Sequence, residues 1–305
     1  MGKLTASQVW SHFEECIARN DQAATVAYLE LKALLYLRPE QCPVAERKLA
    51  GAALSAAFQG IASALADAGH SQAQGALCAV LRSRLGKRKA AMELAAKIGS
   101  LGDAGPDAVK LLQSIVTDEK DEDVASSALL ALGRIAGSKA RNLSPDADAL
   151  ISWLLDFSRM AKSDDVKRVS YLALGNAGSV RALGALEEGL RQPSPALRAA
   201  AAFALRWIED DTASARLSLI LTRDASPEVR KQAAAALGFR SNAQRALLAG
   251  LRDSDAGVRF AALESLAKQK PLNHESVEAV LGLSGDPDKD VREAALSLLS
   301  EAASR

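Results

Sequence analysis

The sequence contains few of the residue types that most often carry enzyme chemistry. It has three histidines and three cysteines among 305 residues, and aromatic residues make up only 4% of the chain. His12, His70 and His274 stand far apart, without the spacing of a metal-ligand set or of a nucleophile and its base. We therefore predict a protein that is not an enzyme, with no catalytic residue, no metal site and no cofactor.

Long apolar runs and paired cysteines are also missing. No stretch reaches the ~18 consecutive apolar residues that span a bilayer, so we expect no transmembrane segment. The first residues, Met1 to Ala6, lack the apolar core of a signal peptide. Cys16, Cys42 and Cys78 form no CxxC pair, which favours reduced and mostly buried thiols. Together these features predict a cytoplasmic protein.

The chain has no large excess of charge of either sign. Lysine and arginine number 38, aspartate and glutamate number 37, and the formal net charge is +1. Such a chain has no strong overall field to attract nucleic acid, so we expect no nucleic-acid partner. A hydrophobic fraction of 49% with few β-branched runs indicates an all-α fold with a core rich in alanine and leucine.

A unit of about thirty residues recurs along the chain. Its mark is an anchor residue, usually followed by a cation, at the start of an Ala- and Leu-rich helix. Successive anchors are 42, 31, 32, 29 and 33 residues apart, which fits two short helices and two turns. One helix pair cannot bury its apolar face alone, so we predict a right-handed α–α superhelix of about eight to nine pairs. The anchors are Val124, Val166, Leu197, Val229, Val258 and Val291.

The ends of the anchor helices are predicted from capping residues. A Ser or Asp before the anchor is a good N-cap, and the proline that directly follows this N-cap residue suits the first helical position. A glycine after Ala-Leu can close a helix in the left-handed conformation. The predicted N-caps are Ser194, Ser226 and Asp286, and the predicted closing glycines are Gly133, Gly175 and Gly238.

Aspartates stand five residues before three anchors, and arginines directly follow the same anchors. In a stack of repeats, the Asp of one turn and the Arg of a neighbour can form a ladder of charge-assisted hydrogen bonds. We interpret these charges as structural. They are Asp224, Asp253 and Asp286 with Arg230, Arg259 and Arg292.

The N-terminal part of the chain is less regular. Thr5 and Gln8 predict a capping box for the first helix. One long helix is predicted over residues 45–66, where Gly51 and Gly60 would allow close packing.

The 42-residue spacing between the first two anchors predicts a longer loop between repeats, around residues 137–145. Since no linker divides the sequence, we predict one solenoid domain over residues 1–305. Its helices are irregular in 1–117 and form regular repeats in 118–305.

Two runs of like charge are candidate partner-binding patches. On a solenoid they would form opposite-signed patches that orient a partner, while solvated helix ends are the alternative interpretation. The three tryptophans, Trp10, Trp153 and Trp207, are predicted to pack in the core rather than to act as exposed binding residues. The basic run is Arg82, Arg84, Lys87, Arg88 and Lys89, and the acidic run is Asp118, Glu119, Asp121, Glu122 and Asp123.

The anchored units resemble HEAT repeats in their short form, over residues 118–300. This resemblance implies the α-solenoid fold. A narrower resemblance lies in residues 171–178, which look like a segment of the helical superhelix in vitellogenin-type lipid-transfer proteins. In that family the superhelix wraps around sheets that enclose lipid.

A solenoid offers an extended curved surface, and this sequence carries no catalytic set. We therefore predict a scaffold whose concave face, lined by the second helix of each repeat, holds a protein or peptide. The alternatives are a helical module of a lipid-binding assembly and a phycobilin-lyase-like HEAT protein. An exposed apolar strip on the concave face would favour lipid, and a charged face would favour the scaffold.

Overall fold

The computed structural model describes residues 4–19, 23–241, 243–269 and 271–303. Within these ranges all regular structure is helical, which confirms the all-α prediction. The chain divides into two compact units, Met1–Leu150 and Ile151–Arg305. The single domain expected from the sequence stays a prediction. None of the described helices is both long enough and apolar enough to cross a bilayer.

The helices of each unit follow in sequence order. In the first unit they are α1 (Ala6–Arg19), α2 (Ala24–Leu37), α3 (Cys42–Gly51), α4 (Ala56–Ala68), α5 (Ser71–Arg84), α6 (Arg88–Ile98), α7 (Pro106–Asp118) and α8 (Glu122–Arg141). Helix α9 (Ala147–Met160) crosses the boundary between the units. In the second unit they are α10 (Asp164–Ala177), α11 (Leu183–Gly189), α12 (Pro195–Ala204), α13 (Asp211–Arg223), α14 (Pro227–Leu237), α15 (Gln244–Gly250), α16 (Ala256–Ala267), α17 (His274–Leu281) and α18 (Lys289–Ala303).

Consecutive helices pack as pairs, and the second helices of neighbouring pairs pack against one another. In the first unit this second-helix layer is α2, α4, α6 and α8, and in the second unit it is α10, α12, α14, α16 and α18. The anchors Leu197 and Val229 are buried at the starts of α12 and α14. The apolar residues four, seven and eight positions after them are buried as well, as the helical periodicity predicts.

An arginine–aspartate ladder joins neighbouring turns of the second unit. The guanidinium of Arg230 donates to both carboxylate oxygens of Asp253, at 2.7 and 2.8 Å. Its Nη1 also donates to the carbonyl oxygen of Asp224, at 2.9 Å. The predicted ladder is therefore present, with Arg198 as a further member. Two more pairs share this geometry, Arg198–Asp224 and Arg259–Asp286.

The C-terminal end of the ladder differs from the prediction. Asp286 does not cap α18, because its carboxylate is held by Arg259. Asp288 caps that helix instead, accepting from backbone N–H groups of its first turn at 3.0 and 3.1 Å. Arg292 donates to two backbone carbonyl oxygens and to no carboxylate among the described residues.

The two predicted serine N-caps stand at the expected positions but do not cap their helices. Ser194 and Ser226 precede the prolines that begin α12 and α14, yet their side chains make no capping hydrogen bond. The carboxylate of Asp224 accepts from the backbone N–H of Ser226 at 2.9 Å. The ladder therefore orders this turn, and the serine hydroxyl does not.

The predicted closing glycines are wrong in conformation. Gly133 and Gly175 lie inside α8 and α10, and Gly238 has a φ of −60°. Gly175 and Gly238 instead allow close packing between second helices. A Cβ on Gly175 would lie 2.6 Å from the Cα of Ala204, and one on Gly238 would lie 2.8 Å from Ser265 Oγ.

The predicted helix over 45–66 is two helices, because α3 ends at Gly51 and α4 begins at Ala56. Ser55 caps α4 by accepting from a backbone N–H of its first turn. Gly60 does pack closely, since a Cβ there would lie 2.7 Å from the ring of Phe13, whereas Gly51 faces open space. The capping box of Thr5 with Gln8 is confirmed, with its two backbone hydrogen bonds at 2.8 and 3.3 Å.

The long loop predicted around 137–145 is also wrong. The additional residues extend α8, which runs for 20 residues to Arg141. Lys139 stabilises this extension because its buried ammonium group lies 3.5 Å from Asp103 and 3.7 Å from Asp146.

Candidate functional site

The structure does not leave all of the predicted basic patch on the surface. Arg84 is 9% exposed, and its Nη2 donates to the carbonyl oxygens of Ala50 and Ala52 at the end of α3. Including Arg84 in a partner-binding patch was therefore wrong, because its donors satisfy backbone groups inside the first unit. Arg82, Lys87 and Lys89 are exposed as expected.

The basic and acidic runs meet each other within the first unit. Arg88 lies 2.7 Å from a carboxylate oxygen of Asp121 and 2.9 Å from one of Asp123. The hydrogen bond from Arg88 lowers the pKa of the Asp121 carboxyl. Asp121 also caps α8. These contacts neutralise part of both runs, and their role as binding patches stays a prediction. Asp118 and Glu122 are exposed, and Glu119 is half-buried.

An exposed aromatic pair lies in the second unit. Trp207 is 44% exposed and Phe239 is 43% exposed, with ring centroids 4.9 Å apart in an edge-to-face arrangement. Trp10 is buried, and the half-buried Trp153 stacks on Phe157 at 5.3 Å. Core packing of all three tryptophans was therefore the wrong prediction for Trp207.

The repeat itself brings this pair together. Trp207 stands ten residues after the anchor Leu197, and Phe239 stands ten residues after the anchor Val229. Both positions follow the second helix of a repeat, just before the next first helix begins. Aligning the anchors would have identified two aromatic residues in the same repeat position, which is the sequence signal that points to this site.

Cationic side chains flank the two rings. Lys268, ten residues after the anchor Val258, places its Nζ 4.6 Å from the ring centroid of Phe239. Arg206 places its Cζ 3.9 Å from the ring centroid of Phe203 and 5.5 Å from that of Trp207. These distances are within the range of cation–π attraction. We name the row formed by Arg206, Trp207, Phe239 and Lys268 the aromatic ridge.

Arg206 is held in place by internal partners. Its Nη2 donates to Asn176 Oδ1 at 3.1 Å, and its Nη1 donates to the carbonyl oxygen of Phe203 at 3.0 Å. Burial lowers the pKa of the guanidinium to about 10, so it stays protonated at neutral pH. A half-buried charge with fixed partners makes this end of the ridge rigid.

A cleft of about 970 Å³ opens beside the ridge. Arg240 fixes its wall, because this guanidinium donates to the carbonyl oxygens of Ile208 and Asp210 and to Ser214 Oγ. Asp210 caps α13, and its hydrogen bonds with Thr212 lower the pKa of its carboxyl. The lining residues are Arg206, Trp207, Glu209, Asp210, Asp211, Ser214, Phe239, Arg240 and Ser241.

The exposed side chains of the second-helix layer differ between the units. In the second unit they include many charged groups, as in the pairing of Glu228 with Lys231 at 2.5 Å. In the first unit, α2 exposes an apolar stripe at helical spacing. Its members are Val26, Leu29, Ala33, Tyr36 and Leu37. Among the described side chains, no group of three His, Cys, Asp or Glu residues could hold a metal ion.

The family model for HEAT repeats matches residues 147–238 and 214–300. No curated protein sequence matches the chain. Similar solved structures include human deoxyhypusine hydroxylase, at 21% identity and a TM-score of 0.38, covering 87% of this chain and 97% of that one. The CpcE–CpcF complex of phycocyanin lyase from Nostoc sp. PCC7120 is 20% identical with a TM-score of 0.43, covering 86% and 94%. Kap121p is 14% identical with a TM-score of 0.47, covering 99% and 38%.

Proposed function

Because the chain belongs to the HEAT-repeat family, we propose that it is a non-enzymatic scaffold that binds a protein or peptide through the aromatic ridge. The observation that supports this function is the exposed Trp207–Phe239 pair beside an open cleft. Only 4% of the residues in this chain are aromatic, yet two of them lie side by side on the surface. Such an exposed apolar patch indicates a surface that a partner covers.

Physical chemistry supports this surface as a binding site. Tryptophan and arginine are enriched among the residues that carry most of the binding energy of protein interfaces. The ridge and the cleft beside it are preorganised, because Arg206 and Arg240 are fixed by hydrogen bonds to backbone and side-chain acceptors. A rigid surface loses little conformational entropy when a partner binds.

The lipid-binding alternative has support only from the first unit. The stripe on α2 is apolar, whereas the second-helix layer of the second unit exposes many charged side chains. A charged layer favours a polar macromolecular partner over lipid. Sedimentation with lipid vesicles tests the alternative. If it holds, replacing Val26 and Leu29 by serine should reduce the fraction of protein that sediments with the vesicles.

The phycobilin-lyase alternative is tested by absorbance, and the cysteines bear on the proposed cytoplasmic location. A lyase would bind a linear tetrapyrrole, so an unchanged visible absorbance spectrum on mixing would support the non-enzymatic scaffold. Cys42 and Cys78 are buried free thiols, which supports a reducing compartment.

The proposed function is tested by comparing ridge variants in partner capture. We expect the wild-type protein to retain one stoichiometric partner from its native lysate. Trp207→Ala and Phe239→Ala should each weaken binding of that partner by about thirtyfold or more, as for interface residues that dominate affinity.

Leu281→Ala is the matched control, because Leu281 is 58% exposed and lies outside the ridge. This variant should retain the partner at wild-type affinity, and the melting temperature of each variant would show that it is folded. Equal retention of the partner by the wild type and both ridge variants would contradict the proposal.

A further inference from the structure

We propose that the cleft beside the aromatic ridge binds a cationic side chain of a partner segment, preferably arginine, which stacks on the exposed ring of Trp207. This inference rests on the proposed function and adds the chemistry of the partner. The polar groups that the cleft leaves available, and the open aromatic face next to them, both point to a cation.

The positive groups of the cleft are already engaged. Arg240 uses its Nε and both Nη atoms for acceptors in the chain itself. Arg206 uses both of its Nη atoms in the same way, and its guanidinium lies over the ring of Phe203. These contacts use three of the five N–H donors of Arg240 and two of those of Arg206, so the cleft offers an anionic partner fewer donors than two free guanidiniums would.

The negative groups of the cleft are more available. Asp210 is used as the cap of α13. Glu209 and Asp211 are exposed, and neither carboxylate has a hydrogen-bond or ion-pair partner among the described residues. The lining of the cleft has three carboxylates and two guanidiniums, a formal excess of one negative charge, which favours a cation over an anion.

The ring next to these carboxylates adds a second attraction. Trp207 is 44% exposed and already has Arg206 5.5 Å from its ring centroid, while its neighbour Phe239 is covered on one side by Lys268. A guanidinium can stack on an indole ring and donate to carboxylates at the same time, because it is planar and has five N–H donors. An ammonium group lacks this planar geometry, so we expect arginine to bind more tightly than lysine.

The test uses fluorescein-labelled peptides of one length that differ only in two central positions. Each peptide has the core Leu-X-Leu-X-Leu, where X is arginine, lysine, citrulline or glutamate. Citrulline keeps the shape of arginine without its charge. From anisotropy titrations we expect the arginine peptide to bind about tenfold more tightly than the citrulline peptide, with the glutamate peptide weakest.

The variants locate this charge preference. In the double variant Glu209→Gln with Asp211→Asn, the arginine and citrulline peptides should bind with similar affinity. Glu275→Gln is the control, because Glu275 is exposed in the first turn of α17 and lies outside the cleft. It should leave the arginine preference unchanged.

The outcomes separate the two proposals. If the arginine and citrulline peptides bind equally, and Trp207→Ala weakens both, the charge inference is overturned while the binding function of the ridge stands. If the double variant keeps the full preference for arginine, the inference is overturned as well. Failure of all four peptides to bind also overturns it, and the partner-capture experiment then decides the proposed function.

Discussion

At the scale of single residues, glycine and alanine determine how closely the second helices approach each other. Gly175 in α10 has no room for a side chain, because the backbone of Ala204 lies where its Cβ would be. The sequence pattern predicts that this glycine closes a helix. Glycine serves both purposes, and only the position of a neighbouring helix distinguishes them.

Gly175→Ala should destabilise the protein, by about 1–3 kcal/mol, because the added methyl group overlaps Ala204 and forces α10 and α12 apart. Gly75→Ala should have the opposite sign. Gly75 lies within α5 with open space around its Cβ position, so alanine there should stabilise by about 0.5–1 kcal/mol through helix propensity. Urea unfolding of both variants measures the two free energies. Stabilisation by Gly175→Ala would contradict the close-packing argument.

At the scale of helices, side chains from distant elements determine where a helix ends. The alanine-rich run after Ala45 contains no proline, and its pattern predicts one continuous helix. The break at 52–55 is stabilised by Ser55 as a cap and by Arg84 of α5, which donates to the carbonyl oxygens of Ala50 and Ala52. A contact between residues more than thirty positions apart leaves no local signal in the sequence.

Arg84→Met should lower the free energy of unfolding by about 1–3 kcal/mol, since it leaves two carbonyl oxygens at the end of α3 without their donor. Arg82→Met is the matched control on the same helix. Arg82 is exposed, so its substitution should change stability by less than about 0.5 kcal/mol. Equal effects of the two substitutions, measured by thermal and urea unfolding, would show that Arg84 does not hold the break.

At the scale of the whole molecule, the arginine–aspartate ladder makes the second unit sensitive to acid. Hydrogen bonds from Arg198 and Arg259 lower the pKa of the Asp224 and Asp286 carboxyls. The folded protein therefore favours the ionised carboxylates more than the unfolded chain does, where the pKa of aspartate is about 3.9. The ladder's contribution to stability is complete above about pH 5 and is lost as the pH falls below about 4.

Hydrogen exchange should therefore show that protection in α12–α18 decreases on acidification from pH 7 to about pH 3.5, while α3–α6 lose less. Asp253→Asn should reduce the pH dependence, because one ladder member is then uncharged at every pH. Asp165→Asn is the control, since Asp165 is highly exposed and lies 3.9 Å from Arg168, outside the ladder. A pH dependence that is the same in Asp253→Asn and wild type would exclude the ladder as its source.

The helical class, the repeat length, the buried faces of the anchor helices and the Arg–Asp ladder could all be predicted from the sequence. Each of these follows from spacing within a repeat or from one repeat to the next, which the sequence displays directly. The tertiary structure decided the rest: the function of each glycine, the break after α3, the burial of Arg84, and the exposure of Trp207 beside Phe239. These depend on which surfaces meet when the chain is packed, because burial is a property of a residue's neighbours in space and not of its neighbours in the sequence.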